Sequence, residues 1–539
     1  MNVFSIGLSG LEAAQTAINT TGNNVSNVAT PGYTEEVTQL ADAPDGDGVT
    51  VTGVQRQVNP FITAELNASQ SQSSSLTTHQ NQIQQVDQLF SSSSASLATG
   101  LQGFFSAVSQ YAQSPSTAAA RQGVIGAANS LATEFQAAGQ TLNSMAGSLN
   151  GQIGASVKQI NTLSSQIASL NQQITTSEGS NPQPPNALLD QRDELVSQLS
   201  QQVGITTVQQ SDGSYTVALG NGQPLVAGSK GFALTTLPAA SNGSTAIGYA
   251  NAAGVAVELP DSDVTGGALG GLIQFRDQSL QPTQGQLGAL AVGFAEAINQ
   301  AQAAGFTSAG TAGGPMFATG TPMVLANTDN TGTASLSGTY DPATAGALTG
   351  DDYALTYNGT GFNVTDLDTG ATSTASIAAG NTVSLAGTTL TISNPADLAS
   401  GDSFELQSTR EGASNFATLI TSPSSLAPAS ASGGSGNNQA ALALENIQNQ
   451  NVIGGSATPA QAYAALVSQV GNQASGVATD LTTQQAITQQ LTQDQQSYSG
   501  VNLDQEAMNL SLYQQYYEAD TKVIAAGQAV LQTLLQLNP

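Results

Sequence analysis

Cysteine and tryptophan are absent from the 539 residues, histidine occurs once, and lysine and arginine together number eight. Without cysteine there is no disulfide and no thiolate ligand for a metal, so the fold rests on packing and hydrogen bonds. Three lysines and five arginines face 36 acidic residues, a net charge of −28. Nucleic acid is excluded as a partner, because binding a phosphate backbone works through Lys and Arg. An anionic membrane surface repels such a chain as well. No apolar run approaches the roughly 18 residues of a membrane span. The first basic residue is Arg56 and residues 1–28 hold no continuous apolar stretch. No cleavable secretory signal is therefore expected, and the chain is either cytosolic or exported with its N-terminus uncleaved. Only 8% of residues are charged, against about 25% in an ordinary soluble domain. Uncharged polar side chains have to keep the surface in water.

What is present is heptad periodicity. Phe4, Leu11, Ile18 and Val25 recur every seven residues, with Gly7, Ala14, Thr21 and Val28 at the offset positions. This is the a/d pattern of a coiled-coil helix. It stops at Thr30-Pro31-Gly32-Tyr33, where Pro second and Gly third predict a type II turn. Leu503, Leu510, Tyr517, Ile524 and Leu531 repeat the pattern at the other end of the chain. Neither helix carries enough apolar surface to be stable alone, so each needs a partner, in the other or in a neighbouring subunit. The residues expected to carry subunit packing are Phe4, Leu8, Leu11, Ile18 and Val25 with Leu503, Leu510, Tyr517, Ile524 and Leu531.

Between the ends, Ile153, Ile160, Ile167 and Ile174 mark a long helix, and Pro182, Pro184 and Pro185 a rigid turn. Ile205 to Leu219, broken at Asp212-Gly213 and followed by Asn221-Gly222, predicts a β-meander. Ile273, Leu280, Leu287 and Phe294 restore helical spacing. Alternation at Tyr353/Leu355/Tyr357 and Phe362/Val364 around Asn358-Gly359 predicts a second β region, and residues 411–490 become helical again around a loop at 430–438. The fold class expected is α+β multidomain: a discontinuous α-helical coiled-coil core built from both chain ends, with inserted β-rich domains. An axial segment at 1–45 pairs with 500–539. The helical core takes 60–203, 267–310 and 411–499, and the β-rich inserts take 204–266 and 322–410.

Chemistry is sparse. His79 lies in a polar stretch with no nucleophile elbow, and a solvent-facing helix position is expected. Asp42, Asp45 and Asp47 lack the closing Glu of a calcium loop and suggest an acidic turn. Asp190, Asp193 and Glu194 are the densest carboxylates, and a glycosidase needs such a pair. However, Arg192 sits among Leu188, Leu189, Leu195 and Val196 at helical offsets, which predicts a helix-to-helix core ion pair instead. Asn19, Asn23, Asn24 and Asn27 are either exposed or capping amides, or amides that bond across subunit contacts. No metal, cofactor or catalytic residue is assigned.

Ser9-Gly10-Leu11 and the run from Asn23 and Asn24 through Asn27, Thr30, Pro31, Gly32 and Tyr33 resemble the N-terminal motif of bacterial flagellar axial proteins. Val501 to Ala519 is similar to the C-terminal motif of that family. Leu188 to Leu195 and Gly266 to Phe306 resemble its hook-associated members, along nearly the whole chain; Thr34-Glu35-Glu36 departs from the family's polar and basic residues. The resemblance implies a structural subunit of the hook–filament junction, with another axial subunit (hook or filament protein) as the alternative. It also implies terminal helices that order on assembly, and type III export without cleavage. The implied partners are further copies of the chain, the flagellar hook protein, a second junction (hook-associated) protein and an export chaperone at the C-terminal segment. A carbohydrate-active enzyme or adhesin built on the β inserts is the reading from a different class.

Overall fold

Ile153, Ile160, Ile167 and Ile174 fall on one stripe of a single 63-residue helix, and all four are fully buried. At about 1.5 Å per residue that helix runs roughly 95 Å, and the rest of the molecule is laid along it. The structure, a computed structural model, describes residues 3–43, 46, 48–91, 97–180, 183–251, 254–432 and 436–536. Asp45, Asp47 and Pro182 lie outside the described residues.

In chain order, α1 (Val3–Asn27) leads into a hairpin of β1 (Glu36–Asp42) and β2 (Val49–Arg56). Then come α2 (Pro60–Ser91), α3 (Leu97–Gln113), the long α4 (Ala118–Ser180) and α5 (Asn186–Gln202). The first β region holds β3 (Ile205–Gln209), β4 (Tyr215–Leu219), β5 (Pro224–Ala227) and β6 (Lys230–Gly231) in one antiparallel sheet. A second sheet there is formed by β7 (Leu234–Pro238), β8 (Thr245–Ala250) and β9 (Ala256–Leu259). Helix α6 (Gly267–Phe275) passes through one π-helical turn, Arg276–Leu280, into α7 (Gln281–Ala303). A short strand β10 (Phe317–Ala318) precedes the second β region of β11 (Met323–Ala326), β12 (Ser335–Tyr340), β13 (Asp352–Tyr357), β14 (Gly361–Asp366), β15 (Thr372–Ser376), β16 (Thr382–Leu385), β17 (Thr388–Ser393) and β18 (Ser403–Gln407). The chain closes with β19 (Ala417–Thr418), α8 (Gln439–Asn446), α9 (Pro459–Ser499) and α10 (Leu503–Gln536).

The two β regions differ in how they are stabilised. Val217, Leu219, Leu225, Leu234 and Ile247 belong to the same continuous core as Ile153 and Ile160, so the first region is a coat on α4. Buried Asn171 and half-buried Asn161 of α4 tie it down by bonding the backbone of Tyr215, Gly228 and Leu234 at 2.8–3.0 Å. The second region has its own core: Leu355, Phe362, Val364, Val383, Leu390, Ile392, Phe404 and Leu406 pack between sheets β11-β18-β13-β14-β15 and β12-β17-β16. It docks on α7 through Ala345 and Leu348 against Ala289 and Val292. Six of the chain's 14 phenylalanines join segments more than 300 residues apart. The ring centroids of Phe135 and Phe416 are 4.6 Å apart, and those of Phe317 and Phe416 are 4.8 Å apart, with Phe104, Phe105 and Phe294 around them.

Three expectations are corrected. Residues 36–56, left without a fold or counted with the terminal coiled coil, form a hairpin whose strands lie against α1. Residues 411–429 are not α-helical: β19 pairs with β10, a 3-10 turn spans Pro423–Ser425, and α-helix resumes at Gln439. His79 does not face solvent. It is 5% exposed, its Nε2 lies 2.9 Å from Ser279 Oγ in the π turn, and its ring meets the edge of Phe275. The polar stretch misled because α2 is covered by α9, α6 and α5 together, so small polar residues such as Ser71 and Ser75 are buried too. No helix among the described residues is long and apolar enough to cross a membrane.

Burial pushes the His79 imidazole down to about 4, because the charged form loses its water. The unfolded chain, with an ordinary value near 6.5, binds the extra proton first. The stability that neutral His79 contributes is therefore complete above pH 6.5 and lost as pH falls to 4, up to roughly 3 kcal/mol. As the chain's single histidine, it gives one imidazole resonance in proton NMR, expected to titrate near 4. A midpoint near 6.5 in the folded chain, or a pH dependence of urea unfolding that His79→Gln leaves unchanged, refutes this.

Candidate assembly interface

The two terminal helices pair antiparallel with a constant register. Asn24 meets Glu506, a side chain added at Gly10 would meet Asp520, one added at Gly7 would meet Ile524, and Gly527 sits against Phe4. From Asn24 to Gly10 and from Glu506 to Asp520 each helix advances 14 residues, two heptads. The buried face of α1 is made of Gly7, Ala13, Ala14, Ala17, Thr20, Thr21 and Asn24. A Cβ at Gly7 would come within 2.7 Å of Ile524 Cγ1, so the glycines are what lets the helices approach. The hairpin covers the adjoining flank: Thr38 Oγ1 donates to Thr20 Oγ1 at 3.0 Å, and Val49 N–H donates to Ser9 Oγ at 3.2 Å.

Apart from Ile524 and Phe4, which reach Gly7 and Gly527, the large residues of both heptads stand away from this seam. Leu8 and Val25 on α1, and Leu503 and Leu531 on α10, are exposed; Phe4, Leu11, Ile18, Leu510, Tyr517 and Ile524 are half-buried. Leu512 and Tyr516 extend the exposed surface. The arm is thus packed inside by small residues and lined outside by large ones.

Its base is a knot of hydrogen bonds. The chain turns at Thr30-Pro31-Gly32-Tyr33, with Gly32 at φ +77° and Tyr33 N–H donating to Thr30 O at 3.2 Å; this is the type II turn, and only its third position needs the left-handed region. Asn27 and Thr30 brace the turn through a 3.2 Å side-chain bond. Asn24, 1% exposed, uses every hydrogen-bonding site it has. Its Nδ2 donates to Glu506 Oε1 at 3.0 Å and to Glu36 O at 2.9 Å; its Oδ1 accepts from Tyr33 Oη at 2.8 Å and from Glu36 N–H at 3.0 Å. Burial raises the Tyr33 phenol, and the carboxylates of Glu36, Asp190 and Glu506 push the same way, so it stays a donor. Sequence reasoning could not single out Asn24 among the four asparagines, because its partners are 12 and 482 residues away. Glu35 N–H donates to Ser499 O, and Gln57 N–H to Glu35 O, both at 2.8 Å.

The arm is fastened to the core by one arginine. Arg56 Nη1 lies 2.6 Å from Asp190 Oδ1 and 3.0 Å from Asp193 Oδ2, with all three side chains mostly buried. Burial alone would lower the Arg56 pKa, but Asp193 and Asp190 outweigh it and the net direction is up. Thr34 Oγ1 adds a 2.7 Å bond to Asp190, and Asn186 Nδ2 donates to Val54 O at 3.0 Å. The helix-to-helix ion pair expected of Arg192 is absent. Arg192 is 1% exposed, its guanidinium lies 3.4 Å over the Tyr215 ring, and Nη1 donates to Gly213 O at 2.6 Å. Its nearest carboxylate is the adjacent Asp193, 3.9 Å from Nε. The aromatic face and the carbonyl hold the buried guanidinium in place of a carboxylate from another helix, leaving its Nε without a hydrogen-bond partner; burial lowers its pKa. Asp190 is committed to Arg56 and Thr34. Among the described residues no group of three His, Cys, Asp or Glu is placed to hold a metal ion.

Comparison with known proteins agrees with this layout. The family described as the flagellar hook-associated protein FlgK helical domain matches residues 83–317, and the D2-like domain of flagellar hook-associated protein 1 matches 325–408. The flagella basal body rod protein family matches 4–34, and the C-terminal family of the basal body rod FlgEFG proteins matches 493–537. Flagellar hook-associated protein 1 of Escherichia coli K12 is 39% identical over 98% of each chain, and that of Salmonella typhimurium is 38% identical over 98% of this chain and 99% of its own. The structure of the flagellar hook junction protein FlgK from Burkholderia pseudomallei superposes with a TM-score of 0.76 at 31% identity, covering 80% of this chain and all of that one.

Replacing Arg56 by Met strands Asp190 and Asp193 without a cation, an expected cost of roughly 3–5 kcal/mol for a buried pair broken on one side. Hydrogen exchange should accelerate in the hairpin and at the start of α5, while the middle of α4 keeps its protection. Arg56→Lys should recover part of the loss. Unchanged exchange in the hairpin of Arg56→Met would show that the arm is held by other contacts.

Proposed function

We propose, from the premise that this chain belongs to the flagellar hook-associated protein 1 family, that its terminal helices build it into the bacterial flagellum as a structural subunit. It is a subunit of the hook–filament junction, outside the cell, and assembles with further copies and with the hook and junction proteins. The observation that carries this reading is the arm itself: a two-helix stalk whose inner seam is Gly, Ala and Thr while Leu8, Val25, Leu503, Leu512 and Leu531 face outward. Large apolar side chains exposed along both helices give neighbours apolar surface to cover, and a stalk so lightly packed gains stability when they do.

The finer reading follows from the same features. The subunit-packing residues are the outward set named above with Phe4, Leu11, Ile18, Leu510, Tyr517 and Ile524 beneath them. The helical core of 60–203, 267–310 and 411–499 spaces the arm from the β-rich inserts at 204–266 and 322–410. The chain catalyses nothing and needs no cofactor. It leaves the cell unfolded through the flagellar type III channel, uncleaved, which a chain free of disulfides allows. An export chaperone covers the apolar C-terminal helix until then. A hook or filament subunit would share the terminal helices, but the internal resemblance favours the junction.

Deleting the gene from its host should leave complete hooks, with filament protein shed into the medium and swarming lost; shortened hooks would instead indicate a hook subunit. Within the chain, Gly10→Val is the sharper test. A Cβ there falls 2.4 Å from Asp520 Oδ2, so the Asp520 carboxylate has to swing aside and the two further methyls of valine crowd the seam. The full-length variant should fail to restore swarming while its helical core unfolds at the wild-type temperature. Full complementation by Gly10→Val would remove the terminal-helix pairing from the mechanism.

A further inference from the structure

Phe61 stands on the first turn of α2 with 74% of its surface exposed, more than any other large apolar side chain among the described residues. The helix end that carries it has its polar groups met. Pro60 has no N–H, and Asn59 Oδ1 accepts from the N–H groups of Phe61 at 3.1 Å and Ile62 at 3.4 Å. Thr63 N–H donates to Asn59 O at 3.0 Å. Such an end can be covered by another surface without stranding a backbone donor. No acidic residue lies in the first turn of α2, so the positive end of the helix dipole is left uncompensated.

A cleft of about 660 Å³ opens between the arm turn and helices α4 and α5. Pro31, Tyr33, Leu170 and Leu195 give it apolar walls, and Asp190 and Glu194 put carboxylates on it. Phe61 does not line it. The two features are not far apart: Asp190 is bound by Arg56, five residues before Phe61, a contour of at most about 18 Å. The cleft also continues the exposed face of the arm, since Val25 and Val28, both exposed, lead along the chain to Pro31.

We propose that the Phe61 end of α2 in one copy of the chain enters this cleft in a second copy, making a lateral head-to-tail contact between subunits at the base of the arms. The proposal rests on the reading of the chain as a self-assembling junction subunit and names a contact that reading leaves open. The apolar end matches the apolar walls, and the positive helix terminus matches Glu194, a cleft carboxylate that Arg56 does not engage. Knob and hole belong to different patches of one surface, so the contact is heterologous. Repeated, it builds a ring or a helical array instead of stopping at a dimer.

The chain has no cysteine, so introduced thiols are the only ones present. Full-length Phe61→Cys and full-length Gln191→Cys, the second at an exposed residue of the cleft, are mixed, added to purified hooks and mildly oxidised. Disulfide-linked dimers of the two chains are expected on the hooks, and none from either variant alone. Full-length Phe61→Ala should need about ten- to a hundredfold more protein to half-saturate hook ends, with an unchanged circular-dichroism melt. Absence of the dimer on hooks that wild-type chain does decorate, with Phe61→Ala binding normally, overturns this contact and leaves the junction reading intact. Protection of Phe61 by hook protein, with no reaction between copies, overturns it as well. Failure of the wild-type chain to add to hooks at all sinks both.

Discussion

Asn24 is the point where the two ends of the chain become one structure. A buried side chain there must donate twice, to Glu506 and to the Glu36 carbonyl, and accept twice, from Tyr33 and the Glu36 amide. Asparagine's two N–H groups and two lone pairs meet that demand completely. Aspartate lacks the donors, and serine has one hydrogen. Once this contact is made, the register of α10 on α1 is fixed. Asp520 then falls opposite Gly10 and Ile524 opposite Gly7, where alone there is room for them. A slip by one turn in either direction would set at least one of them against a residue that has a Cβ. One buried polar residue thereby sets the alignment of a seam whose own small residues would accept several, which is the best-attested use of a polar group in a coiled coil.

The allocation of charge follows from the same economy. All five arginines are buried or nearly so, and each is held inside the chain: Arg56 by Asp190 and Asp193, Arg121 by the carbonyls of Pro115 and Pro423, Arg192 by Gly213 and Tyr215, Arg276 by Asp261 and Asp277, Arg410 by Asp352. That leaves Lys158, Lys230 and Lys522 as the remaining cationic side chains, against an acidic surface. Contacts between copies of such a molecule cannot be built on many salt bridges. They have to come from apolar area and amide hydrogen bonds, the groups that the arm displays.

Long-range architecture was readable wherever large apolar residues set the period. The isoleucine heptad became α4, the Ile273 to Phe294 series became α6 and α7, and the alternation around Asn358-Gly359 became β13 and β14. The arm was harder for a specific reason. Phe4, Leu11, Ile18 and Val25 share their period with Gly7, Ala14 and Thr21, so periodicity locates both stripes but does not say which one faces α10. Close approach selects the small set. The core cation was misassigned on similar grounds. Helical offsets correctly put Arg192 on the apolar face of α5, yet the pair with Asp190 is made by Arg56 from a strand 134 residues away, and nothing in spacing reports a contact across that distance. His79 was misread because three helices cover α2 at once, and a helix enclosed by neighbours needs no apolar stripe where serines and a histidine can be hydrogen-bonded.

Core and arm therefore solve the packing problem in opposite ways. In the core, bulky residues interlock: Phe104, Phe135, Phe294, Phe317 and Phe416 are all fully buried or within 1% of it, and each removes a large area from water. In the arm, the buried positions of α1 other than Asn24 are Gly, Ala and Thr, which bring helices close but remove little area per residue. Close approach without much burial is a poor bargain for an isolated helix pair, since the cost of ordering the backbone is the same in both places. It becomes favourable when the large residues left on the outer faces, from Leu8 to Leu531, are covered in turn by other chains. On the reading proposed above, the arm's composition is what makes its full order conditional on assembly. The phenylalanine-rich core, which needs no neighbour, gives the arm a fixed base, to which Arg56 fastens it.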